Sequence, residues 1–140
     1  MATILVVDDD AAMRDTMFDI LALDGHEVVL ADDGNTGIKR FRDSMPDLVI
    51  TDIQMPGTDG IELLEQLKTE FMGVPVIIMS CSTSISDFEE AVKSSASRVI
   101  RKPFEVNTIL GAVSEMTADD LFAEVNESVA ASVFGETSVG

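Results

Sequence analysis

Five times in succession a short apolar run gives way to an amphipathic stretch, and this alternation constrains the fold more than any other feature of the sequence. Residues 3–7 (ThrIleLeuValVal) are a compact β-branched run stopped by three aspartates, the pattern of a strand buried on both faces. Residues 11–24 follow with Met13, Met17, Ile20 and Leu21 at helical spacing, and Gly25 is the natural stop. The same reading predicts strands over 27–31, 47–51, 74–79 and 98–100, and helices over 34–44, 60–71, 84–94 and 105–116. Pro46 ends the second helix. The third places Ile61, Leu64, Leu67 and Phe71 on one face, and the fifth Val106, Ile109, Leu110 and Val113. Strands alternating with helices imply right-handed crossovers, hence an α/β doubly wound parallel sheet of five strands with helices on both faces.

The length of 140 residues suits one domain. Hydrophobic residues make up 46%, enough for a core and too many for a disordered acidic chain. Nine Lys and Arg stand against 26 Asp and Glu, a formal net charge of −17. That balance argues against a nucleic-acid surface and against docking on anionic lipid, both of which need clustered cations. It leaves metal cations and basic protein partners open. No apolar run approaches the ~18 residues of a membrane span. The opening MATILVVDDD lacks the basic start of a signal peptide. One cysteine, Cys81, excludes an internal disulfide. A cytoplasmic location is the expectation.

Polar residues punctuate the strand ends. Asp8 and Asp9 follow the first strand, Asp52 the third, Ser80 the fourth and Lys102 the fifth. In a two-sided sheet these ends converge on one edge, where such folds bind ligands. Three carboxylates there repel by about 4 kcal/mol per pair at ~4 Å and an effective dielectric near 20. Lys102 offers one compensating charge, and a hard divalent cation such as Mg²⁺ offers two. A carboxylate beside a cation and a lysine can act as a nucleophile toward a phosphoryl group, with the Ser80 hydroxyl bonding one of its oxygens.

These residues resemble the signature of bacterial response-regulator receiver domains. The likeness lies in the aspartates after ThrIleLeuValVal, in AspLeuValIleThrAspIleGlnMetProGlyThrAspGly, in IleIleMetSer and in LysProPhe, and it covers about residues 3–117. The resemblance implies a flavodoxin-like strand order 2-1-3-4-5. It implies Asp52 as phosphoacceptor, taking phosphate from a sensor histidine kinase or phosphotransfer protein of a two-component system or phosphorelay. Asp8, Asp9 and Asp52 would hold Mg²⁺ with the Gln54 backbone carbonyl, and Ser80 and Lys102 would meet the phosphoryl group. The Lys102–Pro103 bond would be cis, an uncommon state. Such a chain is a switch and not a conventional enzyme. It would signal to a downstream protein through the 84–94 and 105–116 face, with no DNA contact and no membrane insertion. One departure is Val99, where the family usually has Phe or Tyr. Gln54 and Ser82 occupy the positions that tune phosphoryl lifetime in the family. Arg98 offers a basic contact on an acidic chain.

Plainer readings stand beside these. Asp10 is better read as a helix cap than as a ligand. His26 reads as a solvated turn residue, Cys81 as a small hydrophobe, and the methionines as core filler. Residues 118–140 lie outside the five units that fill 1–117. Leu121, Val125, Val129 and Val133 recur there every four residues, with Phe122 and Phe134 alongside, and predict a sixth helix with a flexible end. These residues are too few for a DNA-binding domain, so output through protein contact is the expectation. The rival is a pseudo-receiver, a constitutive interaction module that is never phosphorylated. A flavin enzyme of similar shape is disfavoured because aspartates after the first strand would repel the cofactor phosphate.

Overall fold

The structure, a computed structural model, describes residues 1–53, 55, 59–71, 73–80 and 96–117. The helix expected at 84–94, the sixth helix expected within 118–140, and Gln54, Cys81 and Ser82 lie outside the described residues. The strands are β1 (Thr3–Val7), β2 (Glu27–Ala31), β3 (Leu48–Asp52), β4 (Val76–Ser80) and β5 (Arg98–Arg101). The described helices are α1 (Ala11–Leu23), α2 (Gly34–Ser44), α3 (Gly60–Glu70) and α4 (Val106–Thr117). All five strands are parallel, in the order β2-β1-β3-β4-β5.

The period of two along each strand sorts its side chains between two cores. Leu5, Val7, Val49, Val76 and Ile78 face one side, where Ile38 and Phe41 of α2 and Leu63, Leu64 and Leu67 of α3 cover them. Ile4, Val6, Ile50, Ile77 and Met79 face the other, against Met17 and Leu21 of α1 and Ile109 and Val113 of α4. Each fully buried aliphatic side chain contributes about 1.5–3 kcal/mol. The two-sided burial of β1, β3 and β4 is why these strands read as continuous apolar runs and not as alternating ones.

Chain chemistry sets the element ends. Asp10 caps α1 by accepting a hydrogen bond from the Ala12 N–H at 2.9 Å, and Gly25 takes φ +90° just past the helix. The third and fourth strands start one and two residues later than the sequence predicts. Asp47 instead bonds Thr3, its carboxylate accepting the Thr3 N–H at 2.9 Å. Pro75 has no N–H to give to the ladder, although its carbonyl accepts from Val49 at 3.1 Å. The fourth strand then runs on to include Ser80. α2 stops at Met45, which takes the left-handed conformation (φ 46°) directly before Pro46.

His26 is not the solvated turn residue the sequence implies. Its side chain is only 11% exposed and lies 3.2 Å from the Asp24 carboxylate. Its Nδ1 accepts the Ala2 N–H at 3.1 Å, tying the start of β1 to the start of β2.

Candidate functional site

The carboxyl ends of β1, β3, β4 and β5 meet at one edge of the sheet. Asp8 is the residue directly after β1, and its N–H donates to the Ala31 carbonyl at 3.1 Å. Its side chain is fully buried, with Oδ1 accepting the Asp10 N–H at 2.9 Å. The Arg14 guanidinium, one turn into α1, donates to the Asp8 carbonyl at 2.7 Å. Backbone and side chain of Asp8 are thus held by separate donors. Asp52 ends β3 and is 7% exposed. Ser80 ends β4, also 7% exposed, one residue past the Met79 that pairs with Asp52.

Lys102 follows β5, where its N–H donates to the Ser80 carbonyl at 2.8 Å. Its Nζ lies 3.0 Å from Asp8 Oδ2 and 3.2 Å from Asp52 Oδ2, with the lysine side chain 13% exposed. The Lys102–Pro103 peptide bond is cis, as the resemblance implies. Burial works to lower the lysine pKa. The hydrogen bond to Asp8 and the charges of Asp52 and Asp8 outweigh it and hold the ammonium above its usual range. Lys102 is therefore charged throughout the neutral range.

Asp9 completes the cluster from an exposed position. Asp8, Asp9 and Asp52 each place a carboxylate oxygen within 4.8 Å of the others. At that separation and an effective dielectric near 20, each pair repels by roughly 3–4 kcal/mol, so three pairs repel by roughly 10. The two lysine contacts return roughly 5 kcal/mol each by the same formula. The lysine thus offsets the repulsion, yet three carboxylates and one ammonium leave the cluster with net negative charge. Among the described residues the donor set is all oxygen, which suits a hard cation such as Mg²⁺.

The structure thus brings together Asp8, Asp9, Asp52 and Lys102, with Ser80 at the adjacent strand end. The fourth expected metal donor, the Gln54 carbonyl, lies outside the described residues. Two further contributors escaped the sequence reading. Arg14 was legible only as a cation one turn beyond the acidic run. Gly60, the first residue of α3, is buried against the end of β3. A Cβ there would stand 2.1 Å from the Asp52 carbonyl oxygen and 2.8 Å from the Ile53 Cα, so only glycine fits. Its N–H donates to the Ile53 carbonyl at 3.0 Å. Asp59 caps the same helix through a reciprocal pair with Glu62. Arg98 is not unpaired: its guanidinium pairs with Glu115 of α4. Val99 is half-buried against the α2–α3 core.

Known proteins share this sequence pattern and fold. Residues 4–114 match the response regulator receiver domain. The response regulator protein FleR of Pseudomonas aeruginosa is 34% identical over 113 residues, covering 81% of this chain and 24% of FleR. The transcriptional regulatory protein FixJ of Bradyrhizobium diazoefficiens is 36% identical over 131 residues, covering 91% of this chain and 62% of FixJ. The chain therefore spans from a quarter to three fifths of the length of these two regulators. The receiver domain of NtrX from Brucella abortus superimposes with a TM-score of 0.77 at 32% identity, covering 81% of this chain and 96% of that domain. Chemotaxis protein CheY4 of Vibrio cholerae gives 0.78 at 26% identity, covering 83% and 98%. The match runs through every strand that carries an acid or the lysine of the site, and this chain belongs to the response regulator receiver domain family of two-component signalling.

Proposed function

We propose that this chain is a phosphorylation-dependent switch whose phosphoacceptor is Asp52. The observation that carries the reading is the Lys102 ammonium bridging two buried carboxylates, Asp8 and Asp52, with Asp9 close enough to make a three-acid cluster. A surface of ordinary acidic residues has no reason to hold a nearly buried lysine between two of them.

The chemistry assigned to each residue follows from its position. An Asp52 oxygen attacks the phosphorus of a phosphohistidine on a sensor kinase or phosphotransfer protein. The O–P bond forms as the P–N bond breaks, and the departing imidazole keeps the electron pair and takes a proton from solvent. Mg²⁺ bound by Asp8, Asp9, Asp52 and the Gln54 carbonyl would supply positive charge beside the phosphoryl oxygens. Lys102 pairs with the charge added at Asp52, and the Ser80 hydroxyl donates to a phosphoryl oxygen. Arg14 acts on the site only by fixing the Asp8 backbone. The phosphoryl group adds roughly −1.5 to −2 charge beside Lys102. Reorganisation of the Lys102–Ser80 edge then changes which protein binds at residues 84–94 and 105–116. Output through protein contact, with no DNA contact, suits the charge of −17. Among the described residues no helix is long and apolar enough to cross a membrane, and the cytoplasm, where such kinases present their phosphohistidine, is the proposed location.

Intact mass after incubation with Mg²⁺ and a small phosphodonor tests the reading. A phosphoryl mass shift in the wild type, absent in Asp52→Asn and abolished by chelation, is the expected result. No shift from the small donor or from a phosphorylated kinase, together with weak Mg²⁺ binding, would establish the pseudo-receiver instead. Val99 is the residue that favours that rival.

A further inference from the structure

A groove of about 400 Å³ runs along β5 and over the start of α4. Val99 and Phe104 give it an apolar floor, since each is partly buried against one of the two cores. Arg98, Arg101, Pro103, Glu105 and Thr108 line its walls. Two of the chain's nine cations, against one acid, Glu105, therefore flank one apolar trough on a protein of net charge −17.

The segment that follows α4 has the complementary character. Residues 103–140 contain no Lys or Arg. Within 118–134 the acids are Asp119, Asp120, Glu124 and Glu127, and Leu121, Val125, Val129 and Val133 repeat every four residues. A helix with this pattern carries an apolar stripe bordered by carboxylates. Chain geometry starts the segment at the groove. α4 ends at Thr117, and Glu115, two residues earlier, pairs with Arg98 at the first residue of β5. A turn of two or three residues would send the segment back along β5. The fourteen or fifteen residues left for a helix cover roughly 21–22 Å, ample for a four-residue strand of roughly 10–13 Å. Each arginine has N–H donors beyond any single partner, so the Arg98–Glu115 pair leaves capacity for further carboxylates.

We infer that residues 118–134 of this same chain occupy the β5 groove, apolar stripe on Val99 and Phe104 and carboxylates on Arg98 and Arg101. The docked segment covers part of the face assigned above to the downstream protein, so the two compete. This consequence rests on the proposed switch function, whereas the docking itself does not. Carrying its own occupant keeps the apolar floor dry at high local concentration and makes a partner displace it before binding.

Paramagnetic relaxation on the full chain tests the docking. A nitroxide is attached at Ala131→Cys, on the helix side opposite the apolar stripe, in a Cys81→Ala background, and amide broadening is read without phosphodonor. Broadening centred on residues 98–108 is expected. It should fall at least fivefold when Val125→Asp or Arg101→Glu is added. Broadening centred elsewhere, or none, overturns the inference. A mixture of ¹⁵N-labelled chain without nitroxide and unlabelled chain with it separates the sources. Broadening at 98–108 in that mixture would assign the groove to a second copy and also overturn it. Because no phosphodonor is present, failure of Asp52 to accept phosphate leaves this result standing, and failure of docking leaves the phosphorylation test untouched.

Discussion

Two kinds of ion pair occur among the described residues. Arg42–Glu70, with the guanidinium 2.7 Å from the carboxylate, joins α2 to α3 with side chains 51% and 34% exposed. Lys102 meets Asp8 and Asp52 with side chains 13%, 0% and 10% exposed. The contact distances are alike and the consequences are not. In water the first pair gains little, because solvent serves both charges nearly as well. The second has given up solvent, so each member depends on the others. Charge is placed where it holds helices together at little cost and where it must be held at considerable cost, and the expensive placement is the one beside the proposed phosphoacceptor.

The comparison can be broken most severely at Lys102. Lys102→Met strands two buried carboxylates beside a third, and should cost about 3–5 kcal/mol in urea unfolding with chelator present. Saturating Mg²⁺ should restore part of that loss. A cost below 1 kcal/mol would mean that the buried cluster behaves like the surface pair. Metal linkage gives the next effect. At a hundredfold excess over its Kd, Mg²⁺ should stabilise the wild type by about 2.7 kcal/mol. Asp9→Asn should lose most of that gain in thermal melts, yet be no less stable than wild type in chelator, because exposed Asp9 contributes repulsion there.

Alkaline titration sharpens the contrast through its sign. The folded Lys102 pKa lies above the unfolded value, so its contribution to stability is complete below about pH 10.4 and is lost as pH rises through the folded value. Unfolding midpoints followed from pH 7 upward should therefore show no Lys102 contribution to any decline before that point, and Lys102→Met should remove the step beyond it. The smallest effect belongs to the surface. Arg42→Ala should cost under about 1 kcal/mol, and 1 M salt should remove most of the difference from wild type. Salt should leave the Lys102→Met difference largely intact.

Much of this was legible beforehand because the informative signals are local. β-Branched runs stopped by Asp8, Asp52 and Ser80 marked strands and their ends together. Asp10 announced itself as a cap by standing before a helical pattern. What escaped is non-local. β3 starts late because Asp47 finds Thr3, 44 residues away. His26 is buried because Ala2 donates to it from the neighbouring strand, and nothing around position 26 records that. Arg98 is answered by Glu115, which only the return of α4 brings near. The acids of the site were readable as a set because four strand ends in one parallel sheet must share an edge. Arg14 was not, because its target is a backbone carbonyl and carbonyls leave no trace in a sequence.

Gly60 has one more consequence. The end of β3 and the first turn of α3 touch through the space where a side chain would be, backbone against backbone. Such a joint has no rotamer to absorb play. A helix seated on a side chain can ride over small displacements of its neighbour as that side chain swivels, whereas this one meshes like a tooth on a rack. Whatever pushes or pulls the Asp52 carbonyl is felt at the capped start of α3, and anything that grips α3 from outside has a rigid handle on the aspartate.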